Sequence, residues 1–128
     1  MGGPTAMYAV RCDDNTWMQM QRISIFNSGN TAEFRAEICR QLRANRYAVI
    51  HYSDELVILV DELAAYKEHQ PIWSICLQNG TQMDIPGTLF FSRTSPTDRG
   101  IQLINIRASD IFNIRCFANI CFKGWTQD

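Results

Sequence analysis

The alternation of apolar and polar positions predicts that the chain opens with a β-hairpin. The runs MYAVRC and WMQMQRISIF, which begin at Met7 and Trp17, are rich in β-branched and aromatic residues and in methionine, and these residue types favour strands. The turn formers Asp13 to Thr16 separate the two runs. In the second run large apolar side chains occupy both parities, which indicates a bulge or burial on both faces.

The next segment changes to a helical period. In TAEFRAEICRQLRANR the residues Phe34, Ile38 and Leu42 recur at i, i+4 and i+8, which places them on one face of a helix. Asn30 followed three residues later by Glu33 is typical of a helix N-terminus. Glutamates lie early in this segment and arginines late. That order matches the helix macrodipole, so these arginines are explained without a ligand.

Two more strands, YAVIHY and ELVILV, are predicted next. The run Leu56 to Val60 is apolar at five consecutive positions and is bounded by acids, a pattern typical of a central strand that is covered on both faces. DELAAYKEHQ predicts a short helix that Pro71 ends. Asn79 and Gly80 then predict a two-residue type I′ turn between IWSICLQ and TQMDI.

The C-terminal part adds further strands and one ambiguous segment. Pro86 and Gly87 should interrupt the second arm of the hairpin before TLFFSR resumes as a strand. After a polar connection, IQLINIR predicts a strand. DIFNIRCFANICF favours a helix capped by Ser109 and Asp110, although its composition also suits a strand.

These elements together predict an α+β fold. We expect a mostly antiparallel sheet of about six or seven strands with one or two helices packed on one face. Residues 1–6 are expected to be a disordered end or an expression remnant, and residues 7–128 to form a single α+β domain. A chain of 128 residues with 46% hydrophobic and 20% charged residues has the usual composition of one globular domain.

The charge balance restricts the class of ligand. The net charge is −1, from 12 basic and 13 acidic residues, which disfavours generic nucleic-acid binding because no strong positive field surrounds the molecule. Arginine outnumbers lysine ten to two. The guanidinium fork suits carboxylate and phosphate, so this bias permits the recognition of a specific anion, although arginine is equally common in surface ion pairs and interfaces.

The cysteines and histidines predict neither a disulfide framework nor a metal site. The five cysteines are odd in number and lack a CxxC spacing, which indicates small buried hydrophobic residues in a reducing compartment. His51 and His69 are eighteen positions apart, unlike the closely spaced pairs of structural zinc sites. The longest apolar run is too short to span a membrane. We therefore expect a cytoplasmic protein without metal or cofactor.

Two groups of residues are candidates for catalysis. His51 is close in sequence to Ser53 and Asp54, but positions i and i+2 of a strand share a face while i+3 points the other way, so we predict a strand-end histidine. Carboxylates at the ends of the Leu56 to Val60 strand, such as Asp61, could form a general acid and base pair. Solvated strand ends carry charges in any case, and we predict no catalytic residue.

Two groups of residues are candidates for binding. Arg93 and Arg99 lie at the two ends of the polar segment SRTSPTDRG, with hydroxyls between them; loops held by a rigid scaffold concentrate binding residues. The predicted ligand-binding residues are Arg93, Thr94, Ser95, Thr97 and Arg99. Phe122 and Trp125 near the C-terminus would, if exposed, indicate an interface with a protein target or a homodimer contact.

The order DELVILVDE, hairpin, IPGTLFF, polar loop and GIQLINIRASDI resembles small domains of unknown function that recur in bacteriophages and mobile elements. The resemblance covers Asp54 to Ile111 and implies a small, non-catalytic accessory protein that acts by binding. The leading hypothesis is therefore a protein that sequesters or inhibits a target, with a nucleotide-like anion held by the loop of Arg93. The alternatives are a protein–protein inhibitor or immunity-type module that uses Trp125, and a small hydrolase that uses the strand-end carboxylates.

Overall fold

The computed structural model describes residues 3–13, 17–27, 29, 31–97 and 100–127. Within them the chain forms nine strands, two α-helices and a short 3-10 turn, which confirms the predicted α+β class. The elements are β1 (Gly3–Asp13), β2 (Trp17–Asn27), α1 (Thr31–Leu42), β3 (Tyr47–His51), β4 (Leu56–Asp61), the 3-10 turn (Ala64–Tyr66), β5 (Pro71–Cys76), β6 (Gln82–Pro86), β7 (Leu89–Thr97), β8 (Gly100–Ile104), α2 (Ala108–Phe117) and β9 (Cys121–Trp125).

The strands form two antiparallel sheets. The larger sheet has six strands in the order β2-β1-β7-β4-β3, with β8 paired to β7, and the smaller sheet has the order β6-β5-β9. Helix α1 packs on one face of the larger sheet, where Ile38 and Leu42 contact a buried apolar cluster. The smaller sheet and α2 cover the opposite face, with Trp73 and Ile114 in a second cluster. The larger sheet is therefore the central layer of the fold.

Strand β4 shows why the larger sheet is central. All six of its residues are buried, and successive side chains enter opposite clusters, since Ile58 belongs to the cluster with the smaller sheet and Leu59 to the cluster with α1. Each face of a strand takes every second residue. The uninterrupted apolar run is thus the result of covering both faces, and the predicted central strand is confirmed.

The predicted opening hairpin is confirmed and is longer than the sequence indicated. β1 and β2 pair along eleven residues each, from Gly3 opposite Asn27 to Asp13 opposite Trp17. Residues 3–6, for which the sequence predicted a disordered end, form the first part of β1. The side chain of Ala6 is buried, and its backbone N–H donates to Oδ1 of Asn105 at 2.8 Å.

Helix α1 confirms the predicted helical stripe, with Ile38 and Leu42 buried. It ends at Leu42 because Arg43 adopts a left-handed conformation with φ 56°, a common way to end a helix. The N–H of Ala44 then donates to the carbonyl of Cys39 at 2.8 Å. The predicted cap Asn30 lies outside the described residues.

The turn between β5 and β6 differs from the prediction. Gly80 has φ 92°, whereas Asn79 is not among the residues with positive φ, so the predicted type I′ turn is wrong. The N–H of Gly80 donates to the carbonyl of Leu77 at 2.9 Å, and the N–H of Leu77 donates to the carbonyl of Thr81 at 2.8 Å. This is a three-residue loop with glycine in the left-handed position, and Oδ1 of Asn79 accepts from the N–H of Thr81.

The predicted interruption at Pro86 and Gly87 is confirmed and has a larger structural role than a bend. β6 belongs to the smaller sheet and β7 to the larger, so the chain crosses between layers here. Gly87 has φ 91°, and a Cβ at this position would lie 3.0 Å from Cβ of Ala64. Its carbonyl accepts a hydrogen bond from Nε1 of the buried Trp73 at 2.8 Å.

The ambiguous C-terminal segment contains both a helix and a strand, α2 and β9. The helix begins at Ala108, before the predicted cap Ser109, and Oδ2 of Asp110 accepts from the N–H of Arg107 at 2.9 Å. All five cysteines are free, but Cys116 and Cys121 are exposed, so the prediction that they are buried is wrong. Among the described residues no helix is long and apolar enough to cross a membrane.

Candidate functional site

The segment predicted as a binding loop is largely β-structure. β7 continues to Thr97 and β8 begins at Gly100, with Arg93 opposite Ile104 and Thr94 opposite Leu103. Consecutive residues of a strand point to opposite faces, so these polar side chains do not converge on one point. Arg99 lies outside the described residues, and of Thr97 only the strand position is described.

The guanidinium of Arg93 is already bound by two carboxylates. Nη1 donates to Oδ1 of Asp110 at 2.8 Å, and Nη2 donates to Oε2 of Glu55 at 3.0 Å. Oγ1 of Thr94 donates a hydrogen bond to the carbonyl oxygen of Glu55 at 3.2 Å. An incoming anion would have to displace a carboxylate from Arg93. The geometry therefore gives Arg93 a structural role, tying β7 to the start of α2.

A polar pocket of about 470 Å³ adjoins this ion-pair network. Its lining includes Asp54, Glu55 and Asp110, together with Ser53 and Asn113. An acid-rich lining repels anions. The pocket therefore does not suit the anionic ligand that the sequence predicted for this region.

His51, Ser53 and Asp54 line a common surface depression but do not form a catalytic arrangement. Oγ of Ser53 accepts from the backbone N–H groups of Glu55 at 3.3 Å and Leu56 at 3.1 Å. Within the described residues no hydrogen bond joins His51 to Ser53 or Asp54. A serine nucleophile needs a base within hydrogen-bond reach, so this depression lacks an activated nucleophile.

The strand-end carboxylates have structural partners. Oδ2 of Asp61 lies 2.5 Å from Nζ of Lys67, and its Oδ1 accepts from the N–H of Leu63 at 3.0 Å. Glu62 pairs with Arg46 at 3.1 Å. Within the described chain no group of three or more His, Cys, Asp or Glu residues is arranged to hold a metal ion.

A basic groove of about 820 Å³ is the best candidate for a binding site. It opens where the β1–β2 hairpin, the end of α1, the segment after the 3-10 turn, and β9 meet. Its charged and aromatic lining residues are Arg11, Arg40, Arg43, Lys67, His69 and Trp125. None of the lining residues in the described part of the chain is acidic, so the groove presents a positive surface on a protein of net charge −1.

Two of these cations have no carboxylate partner among the side chains that the structure describes. Arg40 forms an ion pair with Glu37, and Nζ of Lys67 binds Asp61 and donates to the carbonyl of Arg43 at 2.9 Å. Arg11 and the side chain of Arg43 form no ion pair with another described residue. Because a guanidinium offers five donors in a planar fork, these two side chains can bind a phosphate without breaking an ion pair to any side chain that the structure describes.

The backbone of the groove is strained at two points. Arg43 and His69 both have φ 56°, and they are two of the three non-glycine residues with positive φ in the described chain. A left-handed residue other than glycine costs about 1–2 kcal/mol. Such strain persists where surrounding contacts impose it, and it concentrates at binding sites. Arg43 and His69, the two strained residues, both line the same groove.

The aromatic wall of the groove consists of His69, which precedes β5, and Trp125 at the end of β9. The rings of His69 and Trp125 are stacked, with centroids 4.1 Å apart and an interplanar angle of 10°. Phe122 contacts Trp125 edge-on at 5.2 Å and Trp73 at 5.7 Å. Trp125, predicted as an interface residue, therefore lies on the groove, and Phe122 supports it while remaining 44% exposed.

The sequence contained little signal for this site. Arg40 and Arg43 match the charge preference of a helix C-terminus, which accounts for them locally. Arg11, Lys67 and Trp125 come from distant segments and share no spacing. Comparison of the chain with models of protein families, with curated proteins and with solved structures gave no match.

Proposed function

We propose that this chain is a non-catalytic binding protein that sequesters a small phosphate-bearing anion of nucleotide size in the basic groove. The observation that carries the proposal is the pair of guanidinium groups, Arg11 and Arg43, that form no ion pair with a described side chain and lie in a groove whose described lining has no acid. The groove volume of about 820 Å³ lies within the usual range for sites that hold small molecules.

Specific binding fits the charge distribution better than general attraction of a polyanion. The net charge of −1 gives no long-range field for nucleic acid. Local arginines still recognise phosphate because the guanidinium fork donates two parallel hydrogen bonds to its oxygens. The ligand is therefore held at short range by a few directed contacts.

The groups that line the groove favour binding of the anion without its chemical conversion. Burial raises the pKa of the Cys12 thiol above its ordinary value of 9.0, so this thiol stays protonated and is a weak nucleophile near neutral pH. The described lining offers no carboxylate to act as a general base. His69 is a potential base in the same lining, but among the described residues no hydrogen bond joins it to the Cys12 thiol or the Thr88 hydroxyl. The described lining therefore lacks an activated nucleophile beside the proposed ligand.

The resemblance of Asp54 to Ile111 to phage and mobile-element domains supports the same class of function. It implies a small, non-catalytic accessory protein that acts by binding. Sequestration of a small anion is one way in which such a protein removes a target from use.

The test is calorimetric titration of the purified protein with inorganic tripolyphosphate and with ADP and ATP at low and moderate salt. We expect saturable binding of one ligand per chain, weaker at higher salt, and no product by chromatography after prolonged incubation. The double variant Arg11→Gln/Arg43→Gln should bind at least about tenfold more weakly, because two charge-assisted contacts are lost.

The matched control is the double variant Arg35→Gln/Arg46→Gln. Arg35 and Arg46 line a different depression, so this variant also removes two positive charges and does not touch the groove. If the control lost as much affinity for the anions, the loss would be due to the change in net charge and not to contacts in the groove. The proposed function would be refuted if none of the three anions bound, or if a bound anion were converted to a product.

A second function, a protein-binding module, is favoured by a separate observation. Phe112 and Phe117 on α2 are 67% and 65% exposed, and Phe122 on β9 is 44% exposed. Exposed aromatic side chains are enriched at protein interfaces. Native mass spectrometry of the full chain tests this hypothesis, since a homodimer or a retained protein partner supports it and a monomer without protein partner opposes it.

A further inference from the structure

We infer that the ligand of the basic groove is a nucleotide whose base stacks on the ring of His69 while its phosphates bind Arg11 and Arg43. This inference rests on the proposed function and specifies the class of ligand. A bare inorganic anion would require only the arginines. The geometry that points to a base is the aromatic wall on the same groove.

The ring of His69 has one face on Trp125, in a parallel stack at 4.1 Å. The residue is exposed, and within the described chain no second aromatic ring covers its other face. An exposed aromatic ring offers its free face to a nucleotide base. Any base can stack on such a face, because every base is flat.

This stack is held in place before any ligand arrives. The N–H of Gln70 donates to Oγ1 of Thr126 at 2.8 Å, and the N–H of Thr126 donates to the carbonyl of Gln70 at 2.8 Å. Oγ1 of Thr126 also donates to the carbonyl of Lys67 at 2.6 Å. Three hydrogen bonds thus join residues on either side of His69 to the residue after Trp125, so little conformational freedom is lost when a base stacks there.

The stack and the arginines belong to one binding surface. Nζ of Lys67 donates to the carbonyl of Arg43 at 2.9 Å, which fixes the segment carrying His69 against the end of α1. Arg11 lines the same groove from β1. A ligand with an aromatic base at one end and phosphates at the other can therefore contact all three groups at once.

The test compares nucleotides with inorganic anions that carry at least as much charge. Calorimetric titrations should show ATP binding about fivefold or more tightly than tripolyphosphate, and ADP likewise against pyrophosphate, because stacking adds to the phosphate contacts. Since the inorganic anions are not at a charge disadvantage, tighter binding of the nucleotides can come only from the nucleoside part.

The variant His69→Asn removes the ring but suits the backbone, because asparagine tolerates positive φ better than most residues. It should lower nucleotide affinity by about fivefold or more and leave tripolyphosphate affinity unchanged. His69→Phe, which keeps a flat ring, should restore nucleotide binding. Circular dichroism and urea unfolding of both variants verify that they are folded.

The outcomes separate this inference from the proposed function. Equal affinity for ATP and tripolyphosphate, with no effect of His69→Asn on ATP, overturns the base-stacking inference while sequestration of an anion stands. No binding of any anion overturns the proposed function itself. A short single-stranded oligonucleotide that binds far more tightly than ATP also overturns the inference, in favour of a nucleic-acid surface.

Discussion

Replacing Arg93 with methionine should destabilise the folded protein by about 3 kcal/mol, because it leaves the carboxylate of Asp110 buried without its cationic partner. The Arg93 and Asp110 side chains are only 12% and 11% exposed. Methionine has a similar length and no charge, so the substitution removes the ion pair while retaining much of the packing. The expected loss is large for a single substitution.

The magnitude follows from comparing the two carboxylates that bind Arg93. Removing one partner of a buried ion pair costs about 3–5 kcal/mol of stability. Asp110 keeps the hydrogen bond from the N–H of Arg107 at 2.9 Å, and this bond still stabilises part of its charge. We therefore expect a loss at the lower end of that range. Glu55 is 66% exposed. Glu55→Gln should therefore cost less than about 1 kcal/mol, the usual value of an exposed ion pair.

Urea unfolding at pH 7 measures these differences through the shift in midpoint at constant slope. A double-mutant cycle with Asp110→Asn isolates the pairwise contribution. Arg107→Met is the matched control: it removes an exposed arginine beside the same helix and should change stability by about 0.5 kcal/mol or less. If Arg93→Met costs less than about 1 kcal/mol yet abolishes anion binding, Arg93 is a ligand residue and our structural assignment is wrong.

Three other predictions concern single sites. Gly87→Ala should destabilise the protein by about 3 kcal/mol, because alanine at φ 91° is strained and its Cβ would lie 3.0 Å from that of Ala64; an unchanged urea midpoint would contradict this. Tyr8→Phe should leave stability unchanged or raise it at pH 7, because the buried hydroxyl has no hydrogen-bond partner among the described residues. Burial raises the pKa of Tyr8 above 10.0, with Arg115 partly opposing it. As the pH rises past 10.0, Tyr8 therefore ionises in the unfolded state before it ionises in the folded state, and the free energy of unfolding falls. Tyr8→Phe should lessen this fall; an equal loss of stability at alkaline pH in both proteins would contradict the prediction. Iodoacetamide at pH 8 should modify exposed Cys116 faster than Cys12, because burial raises the pKa of the Cys12 thiol; peptide mass mapping that finds the reverse order would contradict the prediction.

Local periodicity in the sequence was sufficient for most elements of the fold. The apolar run of β4 and the i, i+4 stripe of α1 each reflect burial of one short segment, so their patterns can be read without knowing what covers them. The division into two sheets could not be read in this way. It depends on the crossing at Gly87, where proline and glycine indicate an interruption but not which layer the chain enters next.

The sequence by itself determined the α+β class and the abundance of arginine, because propensity, hydrophobic period and composition are properties of neighbouring residues. Only the tertiary structure decided which arginines pair with carboxylates among the described residues. Arg93 is occupied by acids 17 and 38 positions away, whereas Arg11 and Arg43 meet Trp125 across a groove built from distant segments. Whether a charge is paired depends on which strands and helices pack together, and that long-range choice leaves no local pattern in the chain.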